Sequence, residues 1–209
     1  RIAGSSDANP LACIAAGIYT TNLPEACFYI SEHSKAKIVV CEGNIQLQKY
    51  AEISNKLPNL VAIVVWGEDP DPALASKCGK AVYSWQTFLT LGDVVTDKQL
   101  HTRQSMISPG NCSSLIYTSG TTGPPKAVMV SHDNITWTTA AMTDNYLDLN
   151  HSDRIVSYLP LSHIAAQIID VHIPIYTGLC TYFCQPDALR GSLTVTLKDV
   201  KPTFFFGVP

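Results

Sequence analysis

Short runs of β-branched and apolar residues alternate along this chain with stretches whose apolar positions repeat at helical spacing. Lys37–Cys41 predicts a buried strand ending at Gly43. Asn44 then reads as the cap of a helix that carries Leu47, Tyr50, Ala51 and Leu57 on one face. Leu60–Trp66 reads as a second buried strand, residues 67–80 as a polar, Pro-rich loop, Trp85–Leu91 as a short helix and 92–110 as a polar connector. In the second half, Ser114–Tyr117 and Ala127–Val130 read as strands on either side of a Ser/Thr/Gly turn. Ile135, Thr139, Met142, Tyr146 and Leu149 then fall on one helical face.

Arg154–Leu159 predicts a further strand, and Ile164, Ile168, Val171 and Ile175 a helix that Pro174 should kink or end. Leu179–Cys184 and Thr203–Val208 read as strands around a helix near 190–200. In this reading the aromatic run Phe204–Phe206 belongs to a buried strand. Apolar strands between helices imply an α/β architecture with mostly parallel sheets covered by helices.

The most informative segment is Thr118-Ser-Gly-Thr-Thr-Gly-Pro-Pro-Lys126, set between two predicted strands. Thr118, Ser119, Thr121 and Thr122 concentrate hydroxyl donors in one turn. Gly120 and Gly123 let the backbone approach a ligand closely, and successive backbone N–H groups can form an anion-binding nest. Lys126 adds a mobile point charge suited to a polyphosphate. The pattern is not Gly-x-x-x-x-Gly-Lys-Ser/Thr, because Lys126 follows Pro125 and leads into a strand, not a helix.

Composition narrows the possibilities. Of the 209 residues, 46% are hydrophobic, enough for a real core. Only 15% are charged, which anticipates surfaces covered by further parts. A net charge of −3 argues against a nucleic-acid partner. The 7 cysteines include no Cys-x-x-Cys pair, so buried thiols in a reducing compartment are expected, Cys180 and Cys184 among them. No apolar run is long and uninterrupted enough to span a bilayer. No His, Cys and carboxylate residues have zinc spacing, so no metal ligand is assigned.

Tyr117-Thr-Ser-Gly-Thr-Thr-Gly-Pro-Pro-Lys126 resembles the AMP-binding signature of the adenylate-forming superfamily. The likeness extends through Gly17–Asn22, Glu25–Cys27, Ser131–Trp137, Ser157–Gln167, Asp187–Leu189 and Lys201–Thr203 to Gly207-Val-Pro209. Taken together, these blocks look most like the bubblegum-type long-chain acyl-CoA synthetases. The first sixteen residues match poorly.

The resemblance implies part of the N-terminal domain of that fold. Its two α/β subdomains would be 1–110, incomplete on its N-terminal side, and 111–209, carrying the turn and truncated on its C-terminal side. It further implies ATP, Mg2+ and coenzyme A, with a long-chain fatty acid as substrate. Acyl-adenylate forms first and acyl-CoA second. Ser119, Thr121, Thr122 and Lys126 would hold the β- and γ-phosphates, with Lys126 as an electrostatic clamp.

His163 would line the acyl site, in the first turn of a helix capped by Ser162, where the helix dipole favours neutral imidazole. His132 would shape a strand-to-helix turn, while His33, His101, His151 and His172 have no assigned role. A cytoplasmic protein follows, with peripheral attachment to the endoplasmic reticulum or another membrane face.

Two departures matter. The family usually has glycine where this chain has Ala127, which is harmless only if φ is negative there. The later family blocks, with an acidic residue near Mg2+, an aspartate for the ribose and a lysine on a mobile C-terminal domain, are not among these residues. The competing reading is a nucleotide-binding or interaction protein without catalysis. The 209 residues alone are therefore expected not to release pyrophosphate from ATP and a fatty acid. Measured release that disappears in Lys126→Ala would overturn this expectation.

Overall fold

The computed structural model describes residues 13–118 and 125–207. The chain divides into two compact units, the first ending at Met129 and the second beginning at Val130. Residues 92–110, read from the sequence as a polar connector, belong to the first unit.

In chain order the first unit holds β1 (Ala15–Ala16), α1 (Pro24–His33), β2 (Ile38–Glu42), α2 (Gly43–Ile53), β3 (Ala62–Trp66), α3 (Pro72–Cys78) and β4 (Ala81–Ser84). They are followed by α4 (Trp85–Thr90), α5 (Asp97–Gln104), β5 (Cys112–Thr118) and β6 (Lys126–Ser131), which runs across the division. One sheet has the order β2-β3-β4 with both pairs parallel, and another has the order β1-β5-β6 with β1 parallel to β5.

Continuous apolar sequence makes β3 the centre of its sheet. Ile63, Val64 and Val65 are fully buried, as expected for a parallel strand covered on both faces. Around them pack Cys27, Val39, Cys41, Leu47, Tyr50, Ile53, Leu57 and Cys78. β2 differs from the fully buried strand expected: Val39 and Cys41 point into the core while Val40 is exposed.

Asn44 does not cap α2. The helix begins one residue earlier at Gly43, and the Asn44 N–H donates to Glu68 Oε1 at 2.6 Å. The Asn44 side chain instead clamps the following loop, donating to the Asp69 carbonyl and accepting from the Asp71 N–H.

The supposed loop at 67–80 contains α3. Asp71 caps it by accepting from the Ala73 and Leu74 N–H groups, Pro72 occupies its first turn, and Gly79 closes it at φ 59°. A side chain at Gly79 would strike Asn55 as well as strain the backbone. The connector at 92–110 likewise contains α5, opened by a reciprocal capping box between Thr96 and Gln99. The helix expected at Trp85–Leu91 is α4.

The second unit continues with α6 (His132–Asn145), β7 (Arg154–Ser157), α7 (Ile164–Gln167), a π-helical turn (Ile168–His172) and α8 (Ile173–Thr177). β8 (Cys180–Phe183) and α9 (Leu193–Val200) complete it among the described residues. β7 and β8 pair in parallel. Ile135, Ile155, Ile168, Ile169, Ile173 and Leu179 form the core, with Met142, Leu149 and Phe204 against it.

α6 ends at Asn145, so Tyr146 leaves the predicted face and is exposed. Pro174 does not end the next helix. It sits in the first turn of α8, just after a π-turn in which the Ile173 N–H reaches back to the Ile168 carbonyl. The extra residue in that turn rotates the buried face onto Ile168, Ile169 and Ile173, leaving Ile175 exposed.

Residues 203–207 form no strand. The Thr203 and Phe204 N–H groups both converge on the Arg154 carbonyl, so no ladder can propagate. Phe205 is exposed and stacks on Tyr158 instead of entering a core strand. Cys180 is exposed and Cys184 half-buried, against the expected burial; Cys27, Cys41 and Cys78 are the buried thiols among the described residues.

Replacing Ile63 with alanine should cost about 2–5 kcal/mol, because a fully buried side chain leaves a cavity in the central strand. Ile45→Ala, at a largely exposed position, should stay within about 0.5 kcal/mol. Urea denaturation of the two variants checks the contrast.

Candidate active site

β5 carries Ser114, Ile116 and Tyr117 into the interior and delivers Thr118, its last residue, to the surface. Lys126 opens β6 and is exposed, its ammonium making no hydrogen bond among the described residues. Ser119, Gly120, Thr121, Thr122 and Gly123 lie outside the described residues. Thr118 and Lys126 thus stand at the ends of two neighbouring strands, where the hydroxyl- and glycine-rich segment leaves one and returns to the other. Positive φ among described non-glycine residues occurs only at Lys35 and Lys201, so Ala127 sits in ordinary strand backbone and introduces no strain.

Both ends of the segment are tied to α1. The Tyr29 hydroxyl donates to the Pro125 carbonyl at 3.0 Å. Nδ1 of His33 pairs with the Tyr117 hydroxyl at 2.9 Å. Burial raises the Tyr117 hydroxyl above its ordinary pKa, so it stays neutral. Neither Tyr29 nor His33 is marked by any local motif.

His163 is itself the cap of α7, a correction to the expectation that Ser162 caps and His163 occupies the first turn. Its Nδ1 accepts the Ala165 N–H at 3.1 Å. With Nδ1 as the acceptor there, Nε2–H is the ring's donor. The side chain is exposed, leaving that Nε2–H available to a ligand. Ser162 Oγ is buried with no hydrogen-bond partner among the described residues.

The loop before His163 is braced by Gln167, whose Nε2 donates to the Leu161 carbonyl at 2.7 Å. Below it, the Ser157 hydroxyl donates to Asp170 Oδ2 at 2.8 Å in a buried pair. Burial raises the Asp170 carboxyl above the usual carboxylate range, against the lowering effect of Ser157.

Among the remaining histidines, His132 opens α6 directly after Ser131, which caps the helix in a reciprocal box with Asn134. Nε2 of His132 is buried without a partner among the described residues. His101 and His151 are exposed, and burial lowers the pKa of His172. Among the described residues no three His, Cys, Asp or Glu side chains cluster as metal ligands.

The fold is that of adenylate-forming enzymes. The A-PCP didomain of carboxylic acid reductase from Segniliparus rugosus, in complex with AMP, superimposes with a TM-score of 0.70 at 20% identity, covering 94% of this chain and 29% of that one. The anthranilate CoA ligase AuaEII, in complex with anthranoyl-AMP, gives a TM-score of 0.66 at 25% identity, covering 93% and 35%. The sequence model of the AMP-binding enzyme family matches residues 11–209, and the chain belongs to that family.

Among curated relatives, the long-chain-fatty-acid–CoA ligase ACSBG2 of Gallus gallus is 47% identical over 200 residues, covering 94% of this chain. ACSBG1 of Homo sapiens is 44% identical over 200 residues, again covering 94%. The chain spans 26% and 27% of the lengths of these two relatives.

Because burial raises the folded-state pKa of Asp170 above its ordinary 3.8, the folded form binds that proton more tightly than the unfolded one. This contribution is fully present below the ordinary value and is lost as pH rises through the raised one. Asp170→Asn keeps an acceptor for Ser157 and removes the titration. Its denaturation midpoint relative to wild type should therefore be higher at pH 7 than at pH 3.

Proposed function

We propose that this chain supplies the phosphate-gripping part of an ATP-dependent, AMP-forming ligase that joins long-chain fatty acids to coenzyme A. The observation that carries the reading is the placement of Thr118 and Lys126, both exposed, at the two ends of the hydroxyl- and glycine-rich segment. The names of the relatives ACSBG1 and ACSBG2 support the acyl substrate and coenzyme A.

In the first step the fatty carboxylate oxygen bonds to the α-phosphorus of ATP. The bond from that phosphorus to the bridging oxygen breaks, and pyrophosphate leaves. In the second step the coenzyme A sulfur bonds to the acyl carbon and AMP leaves. An anionic carboxylate must approach a nucleotide carrying about four negative charges, so charge neutralisation dominates the first barrier.

Lys126 supplies a positive charge to the β- and γ-phosphates, and the hydroxyls of Thr118, Ser119, Thr121 and Thr122 supply donors. Gly120 and Gly123 let backbone N–H groups reach the same oxygens. His163 donates from Nε2 to the carboxylate or the adenylate, its other ring nitrogen being engaged by the helix end. Mg2+ would accompany ATP. Mg2+ would take phosphate oxygens as ligands, and Lys126 would neutralise part of the charge that remains while the hydroxyls donate hydrogen bonds. The enzyme would work on the cytoplasmic side, with peripheral contact to a membrane face.

Lys126→Ala should weaken ATP binding by about tenfold or more, the loss expected for one charge-assisted contact. Titration calorimetry of ATP with Mg2+ measures it. Unchanged affinity would remove the physical basis of the reading.

A further inference from the structure

We propose that Tyr29 and His33 are positioning residues that hold Thr118 and Lys126, the two ends of the phosphate-binding segment, in register for ATP. This rests on the reading of that segment given above, and extends it to a helix to which no role has been assigned.

The two residues lie one helical turn apart on α1 and therefore on the same face. Their rings stack with centroids 5.5 Å apart and planes 19° apart. His33 then meets the Tyr117 ring edge-on, with centroids 5.8 Å apart at 80°. Tyr29 reaches the return end of the segment through the Pro125 carbonyl, and His33 the departing end through the Tyr117 hydroxyl.

Each contact is made by the residue next to a binding residue. The Pro125 carbonyl shares a rigid peptide plane with the nitrogen and Cα of Lys126, so fixing that oxygen orients the start of the lysine. Tyr117 immediately precedes Thr118, and its hydroxyl also faces the Ile30 carbonyl at 3.5 Å.

α1 can act as a reference because it is itself anchored. Cys27 and Ile30 are buried against the core, the Ser31 and Tyr50 hydroxyls pair at 3.0 Å, and the Ser34 hydroxyl donates to the Ile30 carbonyl at 2.6 Å. The described positions on either side of the segment are thus referred to one helix packed on the β2-β3-β4 core.

The test uses Tyr29→Phe, which keeps the stacked ring and loses the hydroxyl, and His33→Leu, which loses the polar partner. His33→Gln offers Tyr117 a replacement hydrogen bond. Amide hydrogen exchange without nucleotide should quicken severalfold at Thr118 and Lys126–Val128 in the first two variants, with Ile63–Val65 unchanged. ATP affinity should fall about fivefold, the worth of one hydrogen bond, while AMP affinity moves by less than about twofold. His33→Gln should restore most of both signals.

Unchanged exchange at Thr118 and Lys126, or equal quickening in β3, overturns the proposal. So does an equal loss of ATP and AMP affinity, which would mark a merely structural role. Failure of the phosphate reading is distinguishable: it appears as Lys126→Ala binding ATP normally. The exchange comparison needs no nucleotide and decides the anchoring in either case.

Discussion

A polyphosphate is held well only by groups that are in place before it arrives. Ordering a backbone residue on binding costs about 1–2 kcal/mol, comparable to the net gain from one hydrogen bond. A glycine-rich segment is the most exposed to this cost, because the freedom that lets it approach a ligand is the freedom that must be lost. The molecule meets the constraint outside the segment. Thr118 is carried by β5, which lies between β1 and β6, and Lys126 opens β6. Across from both, α1 contacts the neighbouring residues Tyr117 and Pro125. The same economy appears around His163, where one ring nitrogen closes a helix end and the other remains free to donate.

Strands were the most legible part of the fold, because parallel strands are continuous apolar runs. Leu60–Trp66 needed no further signal, and Ile63–Val65 is indeed the driest stretch of the first unit. Short helices hid in polar sequence. Asp71-Pro72 reads as a turn when scored for loop composition, yet the same pair is a cap followed by a first-turn proline. Thr96 and Gln99 carry a capping signature in the same way, but α5 has no apolar face to confirm it. The helical face at 164–175 was misjudged for a different reason. A single π-turn shifts every later residue around the axis, and side-chain periodicity assumes a constant 3.6-residue turn.

At the site, local chemistry was legible and long-range support was not. The hydroxyls, glycines and lysine suggest anion binding by their chemistry alone, and Thr118 and Lys126 flank that segment at the end of β5 and the start of β6. Tyr29 and His33 act on partners 96 and 84 positions away, a relation no window along the chain can contain. Asp170 stands in an otherwise apolar stretch of sequence and matches no motif. It is buried, with Ser157 as its partner, and both belong to the stretch that supports the loop bearing His163. The motif from Ser157 to Gln167 therefore mixes two jobs. Ser157 and Gln167 brace the loop from below, while His163 faces outward.

Ala127 tests how much weight a single departure from a family pattern should carry. Glycine is demanded where φ is positive or where a Cβ would collide, and neither holds for a residue one step into an extended strand. In such backbone glycine is the costlier choice, by about 0.5–1 kcal/mol relative to alanine, because the unfolded chain has more freedom to lose. Alanine directly after Lys126 therefore stiffens the strand from which the lysine projects. The substitution that looked most damaging to phosphate binding acts in the same direction as the Tyr29 contact at Pro125. Both reduce the conformations open to the chain where the positive charge enters.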